Sequence, residues 1–251
     1  FSPIPTGFLK VPFNNLEAIE NRISEQVAAI ILEPIQGEGG IIPANMEYLK
    51  KVRELCDTHG VLLIFDEIQC GIGRTGFWFA KDYYGVKPDI ITLAKGLGGG
   101  FPIGAILCNS KVSDAIEFGD HGTTFGGNPL AAAASLATLK VIADEKLCDL
   151  VLSNGKWLKS EIEKLGTTFN MIREVRGIGL MIGVQLDRPA APLVNRLLEE
   201  GVIANATADS VLRLVPPLNI TKEELKLVIS KITRILDVPQ FSSTISCYPL
   251  E

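Results

Sequence analysis

Two histidines, His59 and His121, are the only imidazoles in 251 residues, and they stand far apart, outside any H-E-x-x-H spacing. A histidine-based metal site is therefore not expected. Cysteine is scarce too. The five thiols (Cys56, Cys70, Cys108, Cys148, Cys247) are scattered and odd in number, with no C-x-x-C pair, which argues against both a disulfide framework and a zinc knuckle. Positive charge is in deficit: 24 Lys plus Arg face 29 Asp plus Glu, for a formal net charge of −5. That is the wrong sign for a surface gripping phosphate backbones, so DNA and RNA are poor partners. No apolar run reaches the roughly 18 residues of a membrane span, and nothing near Phe1 resembles a signal peptide. The chain reads as soluble, with reduced thiols and no metal.

What is present is hydrophobic residue, 47% of the total, enough for a large core. The first residues (Phe1, Pro3, Pro5, Gly7, Pro12) read as mid-protein sequence, and an upstream portion is expected. From Asn15 onward, helix and strand patterns alternate. Leu16, Ile19 and Ile23 recur at helical spacing, and the run Ala28 to Pro34 suits a buried strand. A helix is predicted from about Asn45 to His59, stopped by Gly60, with Glu47 and Lys51 spaced to pair. Three short apolar runs follow: Val61 to Glu67, Asp89 to Lys95 and Gly104 to Asn109. They suit strands buried on both faces, delivering polar groups at their carboxyl ends. Asn128 and Pro129 form a helix start for an Ala-rich helix reaching about Ala143. Beyond it come an amphipathic helix (Leu147 to Leu165), strand-like runs in GLMIGVQL and VLRLVPP, and a last helix opened by the capping box Thr221 to Glu224. The predicted organisation is an α/β unit over 1–143, a smaller α+β unit over 144–236, and a tail over 237–251 that is either disordered or foreign to the fold.

Asp66 follows VLLIF and Lys95 follows IITLA, so both stand at the ends of predicted neighbouring strands. A carboxylate drawn toward a dry interior needs a cationic partner, although a turn-forming Asp is the plainer local alternative. A lysine losing water there would have a depressed pKa and a nucleophilic amine, although a strand-end lysine reaching for solvent is again the plainer alternative. The glycines of KGLGGG follow the lysine, which is the wrong order for a P-loop, and Phe101-Pro102 breaks a dinucleotide-binding turn. They suit close approach to a flat ligand. An acid that can meet a heteroaromatic nitrogen, an amine that can bond a carbonyl carbon and a glycine wall together fit pyridoxal 5'-phosphate.

Four strings, Ile31 to Gly40, Phe65 to Gly76, Pro88 to Ala105 and His121 to Ala134, closely resemble the class III, ornithine-type aminotransferases. The segment Ala204 to Thr221 is similar in particular to the acetylornithine branch. The resemblance implies the fold-type I, aspartate-aminotransferase-like arrangement: a partial large domain with a mostly parallel sheet, and a smaller α+β domain. It also implies that Lys95 bonds the cofactor and moves a proton, Asp66 keeps the pyridine nitrogen protonated, and Gln69 bonds the ring's phenolic oxygen. Thr124 would reach the partner's cofactor phosphate across a homodimer with shared active sites, and Thr123 would line the substrate side. Arg213 would bind a substrate carboxylate, with Glu38 neutralising it when the substrate offers no acid. Arg74 and Glu33 are expected to orient loops, and Arg173 and Arg176 to be surface or linking charges.

The implied reaction is ping-pong transamination between an amino donor, N2-acetylornithine, and 2-oxoglutarate, within arginine biosynthesis. Ornithine, succinylornithine, succinyl-diaminopimelate and 4-aminobutyrate are alternative donors. The implied location is cytoplasmic, or mitochondrial or plastid in a eukaryote. The family also carries an upstream Gly-Thr loop, a ring-stacking aromatic residue and another substrate arginine, none of which is in this sequence. Weak cofactor binding is expected unless another segment supplies them. Two other classes stay open: a non-catalytic remnant, and a nucleotide-binding α/β protein, which NAD or ATP would stabilise.

Overall fold

The computed structural model describes residues 3 and 5–238. Residues 239–251, with most of the predicted tail and Cys247, lie outside them. In the first half, α1 (Leu16–Glu20), β1 (Ala29–Leu32), β2 (Ile35–Gln36), β3 (Ile42–Pro43), α2 (Met46–His59), β4 (Leu62–Asp66), α3 (Ala80–Tyr84), β5 (Ile90–Leu93), a 3-10 turn (Lys95–Gly98), β6 (Ala105–Cys108), α4 (Ser110–Ser113) and α5 (Pro129–Asp144) follow in order. The sheet order is β1-β4-β5-β6, parallel across the first three strands and antiparallel at β6. Parallel pairing puts the carboxyl ends of β4 and β5 side by side, which brings Asp66 opposite Thr92.

Local chemistry explains these elements. Asn45 caps α2 by accepting from Glu47 N at 2.9 Å, and Gly60 ends it with φ +68°. The face carrying Tyr48, Leu49, Val52 and Cys56 packs with Leu63 and Phe65 of β4. Each fully buried large side chain contributes about 1.5–3 kcal/mol. The expected Glu47–Lys51 pair does not form among the described residues. Arg53 instead bridges Asp57 at 2.7 Å and Asp89 at 2.8 Å. Asp89 also accepts from Leu63 N and Asn109 Nδ2, tying β4 to the segments flanking β5 and β6.

The strands are not buried on both faces as expected. Leu63, Phe65, Ile91 and Leu93 are buried, whereas Ile31 is 56% and Ile106 68% exposed. Side chains alternate across a sheet, and among the described residues the helices cover only the face bearing the buried set.

The second half contains α6 (Leu147–Thr168), β7 (Ile172–Ile178), β8 (Met181–Leu186), α7 (Ala191–Glu199), β9 (Asn205–Thr207), β10 (Val211–Leu214) and α8 (Lys222–Leu236). Its sheet, ordered β7-β8-β10-β9, is antiparallel throughout. One core joins it to α6, α7 and α8 through Leu158, Ile162, Leu180, Leu193, Leu197 and Leu236. Thr221 and Glu224 form the predicted capping box at the start of α8. Among the described residues no helix is long and apolar enough to cross a membrane.

Candidate active site

Asp66 ends β4 half-buried. Its Oδ1 accepts from Thr92 Oγ1 at 3.1 Å and from Ile68 N at 3.0 Å. The local turn role and the strand-end placement are thus both present. Its Oδ2 accepts no hydrogen bond among the described residues, leaving one carboxylate oxygen for a ligand.

Lys95 departs from expectation. Its side chain is exposed, and its amine makes no hydrogen bond or ion pair among the described residues, so the predicted desolvation is absent: nothing described packs over it. The backbone carries an unexpected feature instead. Lys95 has φ +43°, in the left-handed region that costs a side-chain-bearing residue roughly 1–2 kcal/mol. The 3-10 turn and then Gly99 (φ +59°) and Gly100 (φ +109°) follow at once. Lys95, Gly96, Gly99 and Gly100 line a cavity of about 730 Å³, shared with Gln69, Arg74 and the 215–219 segment. Ile72, across the same cavity, is left-handed too, with φ +51°.

A second group of polar side chains converges from both sheets. Arg213 on β10 donates from Nη1 to Glu38 Oε1 at 2.6 Å and to Gln69 Oε1 at 3.3 Å, and from Nε to Asn205 Oδ1 at 3.0 Å. Gln69 Nε2 donates to the same Glu38 oxygen at 3.1 Å. The Arg213 side chain is 11% exposed, that of Glu38 72%. The hydrogen bond from Arg213 is the main reason the Glu38 carboxyl lies below its ordinary pKa; its own slight burial opposes this. The glutamine packs against Gly37: a Cβ there would lie 2.3 Å from Gln69 Cδ and would push the amide out of its present place. Nearby, burial pushes the Glu33 carboxyl up, although Gly37 N donates to it at 2.9 Å; the Asp66 charge adds to the rise and the Lys95 charge opposes it.

Arginines tie the two halves together. Arg74 donates from Nη1 to Leu180 O at 3.1 Å and Pro216 O at 2.5 Å, with no carboxylate partner among the described residues; burial lowers its pKa to about 10. Arg176 donates to Gly40 O and Ile41 O, and Arg173 pairs with Asp187 at the surface. The Thr207 hydroxyl donates to Glu38 O.

Thr123 and Thr124 lie apart from both groups, exposed in the segment before α5. They do not cap that helix. Asn128 does, accepting from Ala131 N at 3.0 Å.

Glu67 is not singled out by the sequence pattern. It is 1% exposed, and its carboxylate accepts from Ala80 N at 2.6 Å and Lys81 N at 2.9 Å. The one detectable signal is a second acid directly after a strand-end acid, necessarily turned toward the opposite side.

The chain is 50% identical over 235 residues to an acetylornithine aminotransferase of Methanocaldococcus jannaschii, covering 94% of this chain and 59% of that protein. It is 49% identical to ornithine aminotransferase 2 of Staphylococcus aureus, at 94% and 59% coverage. Among solved structures, an ornithine aminotransferase of Toxoplasma gondii with pyridoxal phosphate at partial occupancy superposes with a TM-score of 0.89 at 39% identity, covering 93% of this chain and 56% of that one. The chain thus spans about 60% of the length of the curated relatives it matches. The family Aminotransferase class-III matches residues 9–236, and the chain belongs to that family of pyridoxal-phosphate-dependent enzymes.

Proposed function

We propose that this chain carries the reactive lysine, the ring-nitrogen acid and a substrate arginine of a transaminase that moves an amino group from N2-acetylornithine to 2-oxoglutarate. The reading is supported most directly by one juxtaposition. Asp66 is hydrogen-bonded to Thr92 on the adjacent parallel strand, three residues before an unpartnered Lys95 amine. An amine and a carboxylate oxygen, both free of partners among the described residues, fit opposite ends of a pyridine aldehyde.

Bound pyridoxal phosphate would supply an electron sink for the charge left when the substrate Cα loses its proton. The chain's own residues do the rest. Asp66 Oδ2 holds a proton on the ring nitrogen and stabilises its positive charge. Lys95 Nζ would take the Cα proton and deliver it to the carbon that was the cofactor's aldehyde. Gln69 orients the ring oxygen by its amide. Arg213 offers a planar fork that matches the second carboxylate of 2-oxoglutarate or glutamate. Glu38 occupies that fork when the donor side chain carries no acid, and its own exposure lets it swing away. Thr124, with Thr123 beside it, reaches the cofactor phosphate of a second copy. Phe118, Phe125, Leu130 and Leu136, exposed in this segment and on α5, favour such a contact.

Ornithine as donor is the second reading, favoured by the Staphylococcus aureus relative named for it. Half-reaction spectra decide between them. The protein loaded with pyridoxal phosphate is mixed with each donor alone, and loss of the cofactor's visible absorbance is timed. Acetylornithine should outpace ornithine by at least about tenfold, the discrimination expected of one additional buried polar contact. The opposite order would reverse the assignment, and no bleaching with either donor would remove it.

A further inference from the structure

Asp66 and Glu67 are adjacent acids with opposite surroundings. Asp66 keeps one oxygen free, whereas Glu67 is enclosed and makes no ion pair among the described residues. Its Oε2 and Oε1 take the amides of Ala80 and Lys81, its own N–H donates to Thr92 O at 3.1 Å, and its carbonyl accepts from Gly71 N at 2.9 Å. The nearby Lys81 ammonium is engaged by Asp82 at 2.5 Å. A Cβ on Gly71 would lie 2.8 Å from Glu67 O and 3.2 Å from Oε2, so the loop is folded hard against this carboxylate.

Capping alone does not account for a buried acid here. Phe79, the N-cap of α3, gives no side-chain cap, and the carboxylate arrives from thirteen residues away. A local Ser, Thr or Asp at position 79 could cap the helix without burying a charge. An acid with no cation beside it is expensive to enclose. What the long-range grip achieves is closure of the 67–80 loop, which carries Gln69 and the cavity residues Gly71, Ile72 and Arg74.

We propose that Glu67 is a positioning residue: its carboxylate buckles the 67–80 loop onto the start of α3 and thereby fixes Asp66 and Gln69 against the cofactor ring. The part concerning the ring rests on the proposed function above; the buckle itself does not. Burial raises the Glu67 pKa to about 7, against the two amide hydrogen bonds, with the Asp82 charge adding and the Lys81 charge opposing. Cys70 is buried in the same loop, and its thiol donates to Asp66 O at 3.8 Å. Because the closed loop holds this carboxyl above its ordinary pKa, closure is favoured at acidic pH and is opposed as pH rises through about 7 and the enclosed group gains its charge.

Two variants test this. Glu67→Gln keeps the volume and one acceptor but turns an NH2 toward the other amide. Ala80→Pro leaves Glu67 intact and deletes one donor at the first helical position, where proline is tolerated. Phe79 already holds φ −131°, ψ 147°, the extended backbone that precedes proline. In both variants the backbone amides of 68–79 should exchange with solvent about tenfold faster, while those of the β7-β8-β10-β9 sheet stay as in the parent. In the protein saturated with pyridoxal phosphate, Glu67→Gln should also change the pH dependence of the visible band, through the displaced Asp66 and Gln69. Unchanged exchange at 68–79, or equal acceleration there and in the β7-β8-β10-β9 sheet, would overturn the proposal. If the parent shows no Lys95-dependent band, the proposed function fails, while the exchange pattern still decides the buckle.

Discussion

The polar groups of this site divide into two regions with opposite habits. Around Gln69, Glu38 and Arg213 every side chain has a partner within the chain, and the guanidinium is held by three different residues. Lys95, and separately Thr123 and Thr124 before α5, are exposed instead, and the lysine amine is unpartnered among the described residues. The first region is preorganised by this chain alone, through hydrogen bonds that join the two sheets. The second presents reactive groups outward, so its geometry is completed only by what binds there.

The contrast can be broken at several points. The largest effect is expected at Lys95, because a covalent bond has no substitute: Lys95→Ala should eliminate the visible cofactor band in absorbance titrations. Asp66→Asn removes the negative charge opposite the ring nitrogen, and transamination should slow by about 10²–10³-fold with the band retained. Arg213→Lys loses the planar fork and the Asn205 contact. Steady-state kinetics should show KM for 2-oxoglutarate rising roughly tenfold to a hundredfold, with a smaller change in kcat.

The contribution of Glu67 to stability has a defined sign. Its carboxyl is raised from 4.5 to about 7 by burial, so the folded state holds its proton more tightly than the unfolded chain. That stability is fully present below about pH 4.5 and is lost as pH rises through about 7. Denaturant titrations should show a fall on the order of 2 kcal/mol across this window from Glu67, and Glu67→Gln should flatten it. The smallest change is expected at Thr124. One hydroxyl contact to a phosphate is worth about 1 kcal/mol, so Thr124→Val should weaken cofactor affinity roughly fivefold in a titration. An unchanged affinity would remove Thr124 from the site.

The parallel strand ends were legible because a short apolar run closed by a single polar residue, at Asp66 and again at Lys95, is the pattern that a buried parallel strand leaves in a sequence. The α2 boundaries were legible for a similar reason, since Asn45 and Gly60 are local signals. The strand Ile172–Ile178 was not, because IREVRGI alternates irregularly and its register shifts between Ile172 and Glu174. The helix Ala191–Glu199 starts without a side-chain cap, and a proline in its first turn is its only local start signal. At the site, the Glu38–Arg213 contact was visible only through family resemblance, since nothing local links residues 175 positions apart. Glu67 escaped for a different reason: a sequence shows that an acid follows a strand, but not which amides will be waiting for it. The exposure of Lys95 escaped because strand patterns predict burial of the strand, not of the turn that leaves it.

The central claim is that Lys95 is the amine that bonds the cofactor carbonyl, and reductive trapping tests it most directly. Borohydride added to the protein in excess pyridoxal phosphate fixes the bond even when binding is weak, and peptide mass spectrometry then locates the added mass. The account predicts the label on Lys95, lost in Lys95→Ala and retained in Asp66→Asn. A label spread over surface lysines, or a Lys95 no more labelled than its neighbours, would contradict it.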